Sequence, residues 1–102
     1  MATTQDFIEF VCGQIARLEN VRYKKMMGEY LVYVDDRSVF TVCDNTVYVK
    51  KLPCIESLMI DADCGVPYKG AKECYILDID DSEKATEAAR LLALNTPPPK
   101  KK

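Results

Sequence analysis

Hydrophobic and polar residues alternate along much of residues 22–50, which read RYKKMMGEYLVYVDDRSVFTVCDNTVYVK. Three breaks divide this stretch, at Met27-Gly28-Glu29, Asp35-Asp36-Arg37 and Asp44-Asn45. Val, Tyr, Phe and Thr crowd the segments between the breaks, and these residue types suit a pleated, half-buried strand. The pattern therefore predicts four short strands joined as an antiparallel meander.

The two-residue turns expected at Asp36-Arg37 and Asp44-Asn45 predict a register in which position 34 pairs with 39 and position 42 pairs with 47. In this register the first face of the sheet is wholly apolar or aromatic: Leu31, Tyr33, Phe40, Val42, Val47 and Val49. The second face is mixed: Tyr30, Val32, Val34, Val39, Thr41, Cys43, Thr46, Tyr48 and Lys50. A sheet face that meets water is normally polar, so the second face is unusually apolar.

The second face needs a cover, because a large exposed apolar patch usually marks an interaction site. We favour a second copy of the chain, packed as a twofold dimer. The alternative is a helix from the C-terminal half that folds over the same face. The predicted contact residues on this face and on a later loop are Tyr30, Val32, Thr41, Tyr48, Pro67, Tyr68 and Lys69.

Helices are predicted on both sides of the meander. Phe7, Ile8, Val11, Ile15 and Leu18 recur at helical spacing within residues 4–19,. A short helix is expected over residues 55–60, a loop over 61–70 and a fifth strand over 73–79. Cap residues at 80–82 then begin a last helix that ends near residue 94. The chain thus predicts one two-layer α+β domain over residues 1–96, followed by a disordered Pro/Lys tail over 97–102.

The net charge of the chain bears on whether its partner is a nucleic acid. The 102 residues carry a net charge of −2, and without the three terminal lysines 11 basic residues face 16 acidic ones. Such a body has no general attraction for a phosphate backbone, which argues against direct nucleic-acid binding. Tyrosines 23, 30, 33 and 48 with Arg22, Lys24 and Lys25 nevertheless mimic a stacking platform, so a nucleic-acid or small-ligand module stays an alternative.

The chain offers little chemistry for catalysis. It has five cysteines but no histidine and no CxxC pair, so zinc sites, thioredoxin-type motifs and a thiol–imidazole nucleophile are not expected,. We predict no enzyme activity, no metal and no cofactor. Cys64, beside Gly65 in the expected loop, is the candidate for an alternative role as a redox switch. Reduced cysteines, with no signal peptide and no membrane span, predict a cytoplasmic protein.

Two blocks of sequence carry a resemblance to a known family. The first is Tyr23-Lys24-Lys25-Met26-Met27-Gly28-Glu29-Tyr30, followed by Tyr33, Phe40 and Asp44. The second is Gly65-Val66-Pro67-Tyr68-Lys69-Gly70-Ala71-Lys72, followed by Tyr75. Together they resemble the TfoX (Sxy) N-terminal domain across residues 5–94. Met27, where an aromatic is common, and Asp36-Arg37, in place of the usual Asp-Gly or Asn-Gly turn, depart from that pattern.

The resemblance implies an α+β fold similar to the secretion chaperones and a regulatory role. TfoX proteins promote expression of competence genes as coactivators beside the cAMP receptor protein, and they carry a C-terminal domain that this sequence does not contain. The expectation is therefore a small bacterial regulatory or adaptor domain that contacts a protein partner, such as a transcription factor, and forms a homodimer. Fold and family likeness alone do not fix which process it regulates.

Overall fold

The computed structural model describes residues 4–26, 29–67 and 69–96. These described ranges contain two α-helices, one near each end, and six strands between them. The helices are α1 (Gln5–Gln14) and α2 (Ser82–Asn95). The strands are β1 (Val21–Met26), β2 (Glu29–Val34), β3 (Arg37–Cys43), β4 (Thr46–Val49), β5 (Cys64–Gly65) and β6 (Cys74–Leu77).

The strands form one antiparallel sheet in the order β1-β2-β3-β4-β6-β5. The predicted α+β class, the meander and the helices at both ends are confirmed. Several expectations are wrong in detail. The helix expected over residues 4–19 ends at Gln14. The helix expected over 55–60 is a single 3-10 turn at Pro53–Ile55, and the loop expected over 61–70 contains β5. The predicted tail over 97–102 lies outside the described residues.

Side-chain caps begin both helices. The Thr4 hydroxyl accepts a hydrogen bond from the Phe7 amide at 3.2 Å, and the Asp81 carboxylate accepts one from the Lys84 amide at 3.1 Å. Such caps satisfy backbone donors that have no partner within the helix. The Gln14 side chain then donates to the carbonyl of Ile79 at 2.8 Å, which ties the end of α1 to the strand exit before α2.

Two tight turns set the register of the meander. Both residues of Asp35-Asp36 and of Asp44-Asn45 have positive φ, between 54° and 66°. Two-residue hairpin loops require this left-handed conformation, and Asp and Asn tolerate it far better than Arg does. The turn at Asp44-Asn45 is as predicted, whereas the first turn lies one residue earlier than Asp36-Arg37.

The first hairpin therefore pairs Val34 with Arg37, and the predicted pairing of positions 34 and 39 is wrong. The register shifts again between Val32 and Tyr33, where β3 contains one extra residue. Beyond this bulge Val32 pairs with Phe40. A bulge re-aims the strand without breaking the sheet. The result is that β2 presents the opposite set of side chains from the set that the sequence predicted.

One face of the sheet, here called the covered face, packs against both helices. Its strand residues are at most 8% exposed and form one cluster with the buried residues of α1 and α2. They are Tyr30, Val32, Val34, Phe40, Val42, Val47, Val49 and Leu77. The alternative that a C-terminal helix covers the second face is correct for part of it, because Tyr30, Val32, Val34 and Val39 are buried in one cluster with α2. Neither α1 nor α2, the helices of the described ranges, has the length and apolar composition that a membrane span requires.

Candidate functional site

The opposite face, here called the open face, carries a row of side chains that crosses four neighbouring strands. The register aligns Leu31 with Thr41, Thr41 with Tyr48, and Tyr48 with Ile76. All four side chains are only partly buried. Since both helices pack on the other side, no described helix covers this row.

Gly65 keeps the row continuous at its far end. A Cβ atom at Gly65 would lie 3.2 Å from both the Tyr48 ring and the Ile76 side chain. That separation is tighter than normal van der Waals contact, so a larger residue would displace one of the two neighbours. The glycine therefore allows Tyr48 and Ile76 to lie against β5.

The two ends of the open face differ in charge. At one end Arg22 of β1 pairs with Tyr33 of β2, while the other end carries Glu29 at the start of β2. One carboxylate oxygen of Glu29 is buried and has no hydrogen-bond partner in the described structure. Leaving such an oxygen unsatisfied carries a free-energy cost. The acidic end of the open face thus has unused capacity to accept a hydrogen bond.

The predicted contact residues divide between the two faces. Thr41 and Tyr48 lie on the open face, as the sequence predicted. Tyr30 and Val32 were expected beside them, but they are 7% and 0% exposed on the covered face, so their predicted placement is wrong. The sequence reasoning missed Leu31, Tyr33 and Ile76. The signal that would have identified the first two is the preference of Asp over Arg for left-handed turn positions.

The predicted loop contacts lie beyond β5. Pro67 is buried, Lys69 is exposed, and Tyr68 lies outside the described residues. Gly70 has a φ of 90°, a left-handed conformation that favours glycine,. The backbone conformation therefore explains why a glycine stands at position 70 of the second block.

The first block of the TfoX-like pattern is divided by the fold. Phe40 is 1% exposed in the core and Tyr33 lies on the open face. Met26 ends β1, and Gly28 lies outside the described residues. The pattern thus combines packing positions, such as Phe40, with one position on a surface that can meet a partner.

Cys64 is the exposed thiol among five free cysteines. It borders a groove of about 510 Å³ that is also lined by Met59, Ile60 and Tyr75. The Lys51 ammonium donates a hydrogen bond to the Glu73 carboxylate at 2.6 Å. This bond raises the pKa of Lys51 most, and a hydrogen bond to the Cys64 thiol raises it further. The described residues contain no group of three His, Cys, Asp or Glu side chains that could hold a metal ion. The redox role of Cys64 stays a prediction.

The residues predicted to form a stacking platform are only partly accessible: Arg22, Tyr23, Lys24 and Tyr33 line one pocket at β1, and the nucleic-acid alternative stays a prediction. Tyr30 is buried, and its ring meets that of Tyr23 edge-on with centroids 5.6 Å apart. Arg22 is in an ion pair with Asp36. Tyr23 is 38% exposed, and Lys24 is exposed as well. The surface of β1 is therefore basic with one accessible ring rather than a row of stacked aromatics.

Comparison with known proteins finds a relative of similar length. An "Uncharacterized 12.7 kDa protein in trpE 5'region" of Spirochaeta aurantia is 31% identical over 102 residues, spanning 98% of this chain and 89% of the relative. No protein-family model matches the chain, and no solved structure matches it. The match covers nearly the whole of this chain, and the printed description of the relative names no activity.

Proposed function

The chain belongs to the same family as the Spirochaeta aurantia protein, and we propose that it is a regulatory or adaptor domain that acts by protein–protein contact. The observation that carries this proposal is the open face. Four adjacent strands present a partly exposed row of Leu31, Thr41, Tyr48 and Ile76, while the helices occupy the other side. Contiguous apolar surface of this kind is typical of interaction sites.

The first partner we propose is a second copy of the chain. Two sheets that pack through the same face are related by a twofold axis lying in the interface. An axis that runs across the strands places the Arg22 end of one copy over the Glu29 end of the other. This orientation brings basic side chains of one copy toward the acidic end of the other, where the Glu29 carboxylate has an oxygen without a hydrogen-bond partner in the described structure,.

The size of the open face sets the expected strength of the dimer. With β1 beside the four strands of the row, the open face spans five strands about 4.8 Å apart and three residue levels about 7 Å apart. These spacings give a footprint of roughly 500 Å² per copy. Stable interfaces bury about 800 Å² per partner. We therefore expect a dimer whose population depends on concentration.

The process that we propose is transcriptional regulation in the cytoplasm, without catalysis. The resemblance of the two sequence blocks to TfoX N-terminal domains supports this part of the proposal. A self-associating domain that contacts another protein suits a coactivator, which joins proteins and does not need to read DNA itself. The acidic body of the chain is consistent with that division of labour,.

Light scattering across a concentration series tests the dimer. Ile76→Asp places a charge at the β6 end of the apolar row, and we expect it to yield a monomer that circular dichroism shows to be folded. Ile60→Asp is the matched control, because Ile60 is 79% exposed and lies away from the open face. We expect this control to dimerise like the wild type. A wild-type chain that stays monomeric at high concentration would refute the proposed dimer.

A further inference from the structure

The outer edge of β1 is a second surface with unused binding capacity. β1 is six residues long and lies at one end of the sheet, whereas β5 at the other end has two residues. In the described part of the chain, no residue hydrogen bonds to the backbone on the outer side of β1. An edge of this length is a template for another strand.

The backbone groups that face outward follow from one hydrogen bond. The Asp35 amide donates to the Asn20 carbonyl at 3.2 Å. Residues of an antiparallel strand alternate between those bonded to the neighbour and those whose N–H and C=O point away. Residues 20, 22 and 24 therefore bond toward β2, and Val21, Tyr23 and Lys25 present their backbone groups to the outside.

The side chains that flank this edge are basic on both faces of the sheet. Arg22 and Lys24 lie on the open-face side, and Lys25 lies on the other side with Tyr23. All four are exposed, in a chain whose net charge is −2. Lysines on an edge strand repel the same edge of another copy. The charges that exclude a second copy attract a strand with carboxylates.

We propose that β1 binds an acidic peptide segment of a partner protein by strand addition. The backbone of the segment pairs with Tyr23 and Lys25, and its carboxylates lie beside Lys24 and Lys25. An apolar side chain of the segment packs on the accessible ring of Tyr23, which Tyr30 holds from behind. This binding mode uses the outer edge of the sheet, so it does not require the dimer proposed for the open face.

A synthetic peptide of alternating glutamate and valine, with one central phenylalanine and a fluorescent label, tests the proposal by anisotropy with the full chain. We expect it to bind, and NMR amide shifts to concentrate on Val21, Tyr23 and Lys25. The same peptide with its backbone N-methylated at alternate residues keeps its charge but loses its donors. Equal binding of the N-methylated peptide would overturn strand addition, and it requires no variant protein.

Variants of β1 test the backbone and the charges separately. Tyr23→Pro removes one outward N–H and leaves the bonds to β2 intact, a change that edge strands tolerate. We expect it to weaken binding about fivefold or more relative to Tyr23→Val, which keeps the N–H and loses only the ring. Equal affinity of these two variants would overturn the proposed backbone pairing.

Reversing Lys24 and Lys25 together to glutamate should weaken binding about tenfold or more, since repulsion then replaces attraction at two sites. Lys72→Glu is the control for net charge, because Lys72 is exposed outside β1. If Lys72→Glu weakens binding as much, the edge is not the site. An oligonucleotide of single-stranded DNA that displaces the peptide and binds more tightly would identify the surface as a nucleic-acid site and refute the proposal.

Discussion

Two adjacent residues of β2 provide the sharpest check on the register that defines the open face. Val32 is 0% exposed on the covered face, and Leu31, its neighbour, is partly exposed on the open face. The register expected from the sequence places them the other way round. Substituting alanine at each position therefore distinguishes the two arrangements.

The structure sets the expected magnitudes. Val32→Ala removes two buried methyl groups, worth roughly 1.6 kcal/mol at about 0.8 kcal/mol per carbon, and leaves a cavity in the core. We expect a loss of about 2–3 kcal/mol in the free energy of unfolding, which lowers the melting temperature by roughly 10–15 °C. Leu31→Ala removes three carbons that are already partly in water, so we expect a loss of about 1 kcal/mol or less.

Urea unfolding followed by far-UV circular dichroism measures both changes, and an unchanged m-value shows that the same surface is exposed on unfolding. The measurement is made at a low and a high protein concentration, because self-association through Leu31 would appear as a concentration-dependent stability. If Leu31→Ala costs as much as Val32→Ala at low concentration, β2 has the opposite register and the open face is misassigned.

Two further predictions concern the first turn and the thiols. Asp36→Gly should raise the free energy of unfolding by up to about 1 kcal/mol by urea titration, because glycine accepts the φ of 66° and the exposed pair with Arg22 contributes little,. Burial raises the pKa of the Cys12 thiol most, and the negative charge of Glu9 raises it further. As pH rises, Cys12 therefore loses its proton at a lower pH in the unfolded chain than in the folded protein. Its contribution to the free energy of unfolding is complete below the ordinary thiol range and is lost as pH rises through the folded pKa. Cys12→Ser should remove that decline, and iodoacetamide should label the exposed Cys64 before Cys12.

The elements that the sequence predicted well are those with a local physical cause. α2 begins where Asp81 caps it, and the strands of the meander follow the alternation of Val, Tyr and Thr. The turn at Asp44-Asn45 uses residues that tolerate positive φ. In each case residues close in sequence determine the structure, and no distant contact has to be known.

The features that the sequence did not predict depend on pairing between distant residues. β5 has two residues and exists because Cys64 and Gly65 pair with β6, which no local pattern reveals. The break at residues 35–37 allowed a turn at Asp35-Asp36 or at Asp36-Arg37. A shift of one residue between these turns moves every side chain of the strand to the opposite face of the sheet. Thr41 and Tyr48 were placed well because they pair across the correctly predicted second turn. Tyr30 and Val32 lie before the first turn and the bulge, so the error fell on them.

The two proposed surfaces meet at β1, and their geometry couples them. A twofold axis across the strands of the open face brings β1 of one copy near β1 of the other, so the dimer brings together two rows formed by Arg22 and Lys24. Repulsion between these rows weakens the dimer. An acidic strand bound at each edge neutralises the rows and removes that repulsion. Because coupling between two binding events is reciprocal, the dimer must then also bind the acidic strand more tightly than the monomer does.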